Sequence, residues 1–196
     1  MVAGRSGRGK YLTLLKETGV RAQLELLYEM LDAALEVESK TRRLMTQLGR
    51  PFPEINRLQT VPGVGRIGAH LFVAYIQEPA RFATAQQLYR YCRLGIRDRS
   101  SDGKPLGYQQ LDCTGHGALK AISYRAWLIA MKQRAGVVYE FYEHSLTRTG
   151  NELHARLNTQ RKILNTLWVL WRKGREFEPQ RFLGNEPQPT AKTSCG

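Results

Sequence analysis

Apolar residues recur every three or four positions over most of this chain, and nowhere does strict alternation of apolar and polar residues persist. Helices, not strands, must therefore build the fold, and a mainly α architecture is expected. Leu24, Leu27, Leu31, Ala34, Met45 and Leu48 follow that spacing, interrupted by Glu38 and Thr41. They form the seam of a long coiled-coil-like helix or helical hairpin that ends at Gly49-Arg50-Pro51, where Gly and Pro stop helices. A break at Gly19 is compatible with the pattern.

The same spacing places short helices on either side of Pro62-Gly63-Val64-Gly65, and another over Thr84 to Leu94 with Thr84 as N-cap. Three more are read over Ala118–Arg134, Val137–Thr147 and Gly150–Lys173. Between them, Ile96 to Gly117 is rich in Gly, Ser, Asp and Pro, and is read as a long loop or a short hairpin. Loops of that length within a compact domain are usually functional.

The expected organisation is a flexible basic arm over residues 1–10 and a coiled-coil-like linker over 11–50. A helical domain over 51–182 and a disordered polar tail over 183–196 complete it.

Charge narrows the partner. The chain has 196 residues with 30 Lys and Arg against 17 Asp and Glu, a net charge of +13, which points to an anionic partner. Cys92, Cys113 and Cys195 are odd in number and form no CxxC pair, so neither a disulfide framework nor a thiolate metal site is signalled. No stretch has the length to span a bilayer and no apolar leader follows the first basic residues, so a cytoplasmic protein away from membranes is expected. Walker loops, HExxH and dinucleotide fingerprints are missing from the sequence, which removes support for nucleotide hydrolysis and hydride transfer.

Leu58-x-x-Val61-Pro62-Gly63-Val64-Gly65-x-x-x-Ala69-x-x-Phe72 has helix-hairpin-helix spacing. Gly63 and Gly65 permit a tight turn and leave amides at the start of the second helix open to a phosphate. Val61 and Val64 anchor the turn, Ala69 admits close packing, and Arg66 adds charge. Gly63, Val64, Gly65 and Arg66 are thus candidates for holding a nucleic-acid backbone. Further basic residues cluster at Arg81, Arg90, Arg93, Arg97, Arg99 and Lys104 and again around Arg161 and Lys162. Of these, Arg97, Arg99, Lys104, Arg161 and Lys162 are further candidates for DNA contact.

Arg97-Asp98-Arg99-Ser100-Ser101-Asp102-Gly103-Lys104 sets two hydroxyls among three cations. Read alone, such a segment is a surface turn. It also has the elements of a nucleophilic serine: a hydroxyl and cations to stabilise charge developing on phosphate oxygens. Glu140, Glu143 and His144 share a helix face, but that spacing is ordinary on exposed helices, and no metal ligand is assigned. His70, His116, Trp168, Trp171 and Cys92 read as packing residues, with His116 between two glycines within reach of a phosphate.

The ordered set Leu58 to Gly65, Arg81-Phe82-Ala-Thr84, Tyr91-Cys-Arg-Leu-Gly95-Ile96, Ser100-Ser101-Asp-Gly103-Lys104, Gly115 and Leu119 resembles the C-terminal domain of the insertion-sequence 110/116/902 transposases. Phe141-Tyr142, Ala155-Arg156, Arg161-Lys162-Ile163-Leu164 and Trp168 continue the likeness, which covers most of Leu58 to Arg175. The helices before Leu58 resemble the coiled-coil linker of that family.

The resemblance implies a DNA recombinase whose serine nucleophile forms a phosphoserine link to DNA, guided to its target by a structured RNA. The family serine directly precedes a glycine. Here Asp102 intervenes before Gly103, so Ser101 is the first candidate and Ser100 the reserve. Tyr108-Gln-Gln-Leu-Asp-Cys-Thr also departs from the basic segment the family tends to show.

Family members pair this domain with an acidic RuvC-like domain that holds divalent metal. The chain is therefore expected to be the C-terminal half of a split or truncated transposase. It needs no cofactor of its own, and Mg2+ is expected only with a RuvC-like partner. DNA, a guide RNA, that partner domain and further copies of the chain are the expected partners. The alternative is a nonenzymatic helix-hairpin-helix protein that binds DNA or RNA; a helical module that only oligomerises is a third reading.

Overall fold

The computed structural model describes residues 5–101, 104–112 and 114–184; of residues 5, 6, 98–101 and 104–109 it describes the backbone alone. Helices dominate, as the periodicity requires, and the chain divides into two compact units, residues 1–51 and 52–196.

The first unit consists of α1 (Arg5–Leu14) and α2 (Thr18–Gly49). The expected flexible arm is helical from Arg5 onward, and residues 1–4 lie outside the described part. The reason is a tertiary contact that glycine content does not reveal. Both terminal nitrogens of Arg8 donate to the Asp32 carboxylate at 2.8 Å, and its guanidinium lies 4.6 Å from the centre of the Tyr28 ring. Such an ion pair on an aromatic face outweighs weak helix propensity. The break falls at residues 15–17, not at Gly19, which sits inside α2. α2 is one continuous helix of 32 residues with Tyr28 buried, and Leu27 and Leu48 of the expected seam remain open to solvent.

The second unit begins with α3 (Pro53–Leu58), α4 (Arg66–Ile76), a single 3-10 turn at Pro79–Arg81 and α5 (Ala85–Tyr91). Pro53 opens α3 at a position where its missing N–H costs nothing. Thr84 caps α5 by accepting a hydrogen bond from Gln87 N–H. Strands β1 (Ile96–Ser101) and β2 (Lys104–Leu111) then form an antiparallel hairpin, so the shorter of the two expected conformations for this segment is the one adopted. Ile96 pairs with Leu111 and Ser101 with Lys104, and the register slips between Asp98 and Ser100. A two-stranded hairpin is marginal by itself. This one is tied down at its foot, where Asp112 N–H donates to Gly95 O at 2.8 Å and Cys92 bridges Gly115.

Helices α6 (Gly117–Gln133), α7 (Val137–Thr149), α8 (Glu152–Lys173) and α9 (Pro179–Leu183) follow. α8 is the central post. Its Ile163, Leu164 and Leu167 are wholly buried, joined in the core by Leu58, Phe72, Ile76, Leu88, Leu94, Leu119 and Phe182 from six other segments. Trp168 is a core residue that donates from its indole N–H to Pro79 O at 2.8 Å. The caps at the α7–α8 corner and the end of α8 are those that physics favours: Asn151 accepts from His154 N–H at the start of α8, and Gly150 and Gly174 close α7 and α8 in the left-handed conformation.

Candidate nucleic-acid interface

The turn between α3 and α4 is seated from below. Val61 and Val64 are buried, and Val64 N–H donates to Val61 O at 3.0 Å, which tightens the loop. The two glycines of the turn serve different ends. Gly63 adopts φ +78°, and a Cβ there would lie 2.6 Å from Ala126 Cα and 2.9 Å from Ala126 O on α6. It is fixed by backbone conformation and by close approach to another helix, so its role is internal. Gly65 has φ −71° and ψ 177°, which any residue can adopt, and a Cβ there would meet open space.

Gly65 is the N-cap of α4, and no side chain caps that end. The first intrahelical bond is Ala69 N–H to Gly65 O at 3.0 Å, so the amides of Arg66, Ile67 and Gly68 have no partner within the helix. No acidic residue occupies the first turn, and Arg66 is exposed beside it. An uncapped helix start flanked by a cation has the chemistry to receive a phosphate oxygen. Of the four residues expected here, Gly65 and Arg66 face solvent, whereas Gly63 and the Val64 side chain belong to the packing. Ala69 is wholly buried, as close helix contact requires.

Ser100 and Ser101 lie at the end of β1 away from the hairpin foot, with Pro105 and Lys104 as their respective register partners. Their side chains and those of Arg99 and Lys104 lie outside the described atoms, as do Asp102, Gly103 and Cys113. Arg97 is exposed on β1 opposite Gln110. It also acts on Asp112, whose carboxyl is held below the ordinary carboxylate range. Hydrogen bonds from the Thr114 hydroxyl and backbone N–H are the main cause, with Arg97 and Arg90 adding attraction.

Arg161 and Lys162 are adjacent on α8 and face different surroundings. Arg161 Nε donates to Leu94 O at 2.8 Å, tying α8 to the segment that leads into the hairpin. Lys162 Nζ sits 5.6 Å from the Phe141 ring centre and 5.7 Å from that of Phe182, and burial lowers its pKa. Neither is a freely solvated cation. Arg81 and Arg93 are similar: Arg81 donates to Ile76 O at 3.1 Å, and Arg93, at φ +57°, donates to Gly115 O at 2.8 Å. Each of these arginines satisfies a carbonyl near the end of an element. His116 lies against the rings of Tyr91 and Tyr75, at 4.7 and 5.1 Å between centres, so it is packed between aromatics.

Two functional candidates emerge only from the tertiary arrangement. Arg148 at the end of α7 and His154 at the start of α8 line an open groove of about 800 Å3 at the hairpin foot, together with Ile96, Leu153, Asn158 and Arg161. Nothing in the local sequence marks them, because the groove exists only once β1 packs beside the α7–α8 corner. Among the described residues, no three His, Cys, Asp or Glu side chains gather as metal ligands would. No helix among them is long and apolar enough to cross a membrane.

The fold and these positions define a basic, helical domain with one projecting hairpin, built around a tight turn that opens a helix start to solvent. Residues 55–143, from α3 into α7, match the family described as Transposase IS116/IS110/IS902. Within those residues the chain is similar to a transposase domain, and the likeness supports DNA transposition in the general sense, with DNA as the implied partner. A search of curated proteins finds no match to the chain.

Proposed function

We propose that this domain cuts and rejoins DNA through a phosphoserine intermediate, with Ser101 as nucleophile and Ser100 in reserve. In that step Ser101 Oγ bonds to the phosphorus and the bond from phosphorus to one deoxyribose oxygen breaks. The serine proton ends on the departing oxygen, so the products are a DNA phosphoserine and a free hydroxyl end. The observation that supports this reading is the hairpin: both serines stand in one strand with Arg97 and Arg99, and Lys104 is the register partner of Ser101. Cations carried on the same two strands suit the charge that develops on a pentacovalent phosphorus.

In this reading Gly65 and Arg66 hold duplex backbone at the start of α4, which positions the DNA without reading its sequence. Divalent metal belongs to an acidic RuvC-like partner domain, and a guide RNA supplies the choice of target. A second copy of the chain covers the exposed Leu27 and Leu48 of α2. The resemblance of the motifs supports all three assignments.

The test is denaturing electrophoresis of the chain with nicked and intact DNA, supplied with the acidic partner domain. A covalent adduct that disappears in Ser101→Ala and persists in Ser100→Ala is the expected result. Adduct formation that survives both substitutions overturns it. The uncapped start of α4 favours a second reading, a nonenzymatic binding domain, which predicts salt-sensitive DNA binding and no adduct from any variant.

A further inference from the structure

We propose that the groove at the hairpin foot grips one unpaired nucleotide of the DNA strand being cut, its base on Leu153 and its phosphate between Arg148 and Arg161. The inference rests on the strand-cleavage reading and names where that strand is held.

The groove joins two chemistries. Its floor is apolar and partly open, with Ile96 45% and Leu153 49% exposed and Leu157 buried beneath. Arg148, Arg161 and His154 stand around it, and no carboxylate is among its described lining residues. Duplex DNA offers phosphates and base edges but hides base faces inside the stack. An apolar floor bordered by cations instead matches a base laid flat with its phosphate beside it.

The polar groups are supported from behind. Asn158 Nδ2 donates to Ser145 Oγ at 3.1 Å, which fixes the Asn158 amide, and Arg161 reaches its Oδ1 at 3.5 Å. Arg161 thus spends two of its N–H groups on Leu94 O and Asn158 and keeps the rest of its five-donor fork. The Arg148 guanidinium forms no hydrogen bond or ion pair with another described residue, so its charge is available.

The distance to the serines sets the register. β1 runs from Ile96 in the groove wall to Ser101, about 17 Å at ~3.4 Å per residue. DNA advances about 3.4 Å per nucleotide in a B-form strand. The gripped nucleotide therefore lies within about five positions of the phosphate that reacts.

The experiment measures binding of the full chain to a blunt duplex and to the same duplex with a five-nucleotide single-stranded DNA extension. Leu153→Glu and Arg148→Glu, both at exposed positions, are each expected to weaken the tailed DNA by about tenfold, because each sets a carboxylate against the base or the phosphate of the gripped nucleotide. Blunt-duplex affinity and melting temperature should change little. An abasic nucleotide walked along the extension should reproduce the loss at one position.

Equal loss on both DNAs, no loss on either, or tighter binding of an RNA extension overturns the proposal. So does displacement of the tailed DNA by an acidic peptide as readily as by free oligonucleotide. An adduct that forms at the parent rate on tailed DNA in Leu153→Glu also rejects the groove and leaves strand cleavage standing. Groove-dependent binding in a chain that never forms an adduct supports the groove and rejects cleavage.

Discussion

Gly63 and Gly65 look equivalent in the sequence, and the structure separates them sharply enough to test. In Gly63→Ala the new methyl carbon must enter the left-handed region, which costs about 1–2 kcal/mol for an L residue. It must also fit 2.6 Å from Ala126 Cα and 2.9 Å from Ala126 O, both backbone atoms of α6 that no rotamer change can move. Overpacking of that kind costs about 1–3 kcal/mol, so the total is about 2–5 kcal/mol. For a unit of this size each kcal/mol moves the melting temperature by about 2–4 °C, which predicts a fall of about 4–20 °C.

Gly65→Ala adds its methyl group to open space at an ordinary φ, so its effect on stability stays within about 1 kcal/mol. Yet that methyl stands where a phosphate would meet the α4 amides, so DNA affinity should fall. Calorimetry on the two variants, with filter binding to duplex DNA, gives a crossed pattern. Equal melting temperatures for Gly63→Ala and the parent chain would refute the close approach to α6, and unchanged affinity in Gly65→Ala would refute the phosphate at α4.

The remaining predictions concern charge and burial. Affinity for duplex DNA should fall linearly with log salt, and Arg66→Gln should make the slope shallower by about 0.9, one phosphate contact, without lowering the melting temperature. Arg93→Gln and Arg161→Gln should do the reverse, each losing about 1–3 kcal/mol of stability because Gly115 O and Leu94 O are left without their donors. Burial pushes the Cys92 thiol up to about 12 from an ordinary value of 9.0. The raised folded pKa means that stability is intact below about pH 9 and declines as pH rises toward 12, by up to about 1.4 kcal/mol per unit. Chemical denaturation across pH 8 to 11 should show that decline in the parent chain and lose that part of it in Cys92→Ala; superimposable curves would contradict the burial of the thiol.

The helical content and the frame of the α3–α4 turn were legible because they depend on local repetition. Val61, Val64 and Ala69 fall at positions that a tight turn between helices must bury, and each is buried. Thr84 could be named as a cap because capping needs only a hydroxyl followed by helix-forming residues. What stayed hidden depends on partners far along the chain. α1 holds its place through Arg8 and Asp32, 24 residues apart, so a glycine-rich segment that reads as an arm is helical. The hairpin could be read only as one of two alternatives, because its composition is turn-like; it is secured by Gly95 O and the Cys92–Gly115 bridge, not by alternation within its strands.

Charge is where counting fails most instructively. A net charge of +13 announces an anionic partner, yet it cannot distinguish a cation that holds the fold together from one that meets the partner. Arg81, Arg93 and Arg161 each bring a guanidinium N–H to a carbonyl near the end of an element, where the regular ladder runs out of donors. Lys162 lies against two aromatic rings. Arg66 and Arg148 have no such duty. These two stand at the start of α4 and beside the groove at the hairpin foot, whereas the internally engaged arginines fix the elements between them. The same excess of arginine therefore divides in two: Arg81, Arg93 and Arg161 brace the ends of elements through carbonyl oxygens, Arg161 with donors to spare, and Arg66 and Arg148 keep theirs for an anionic partner.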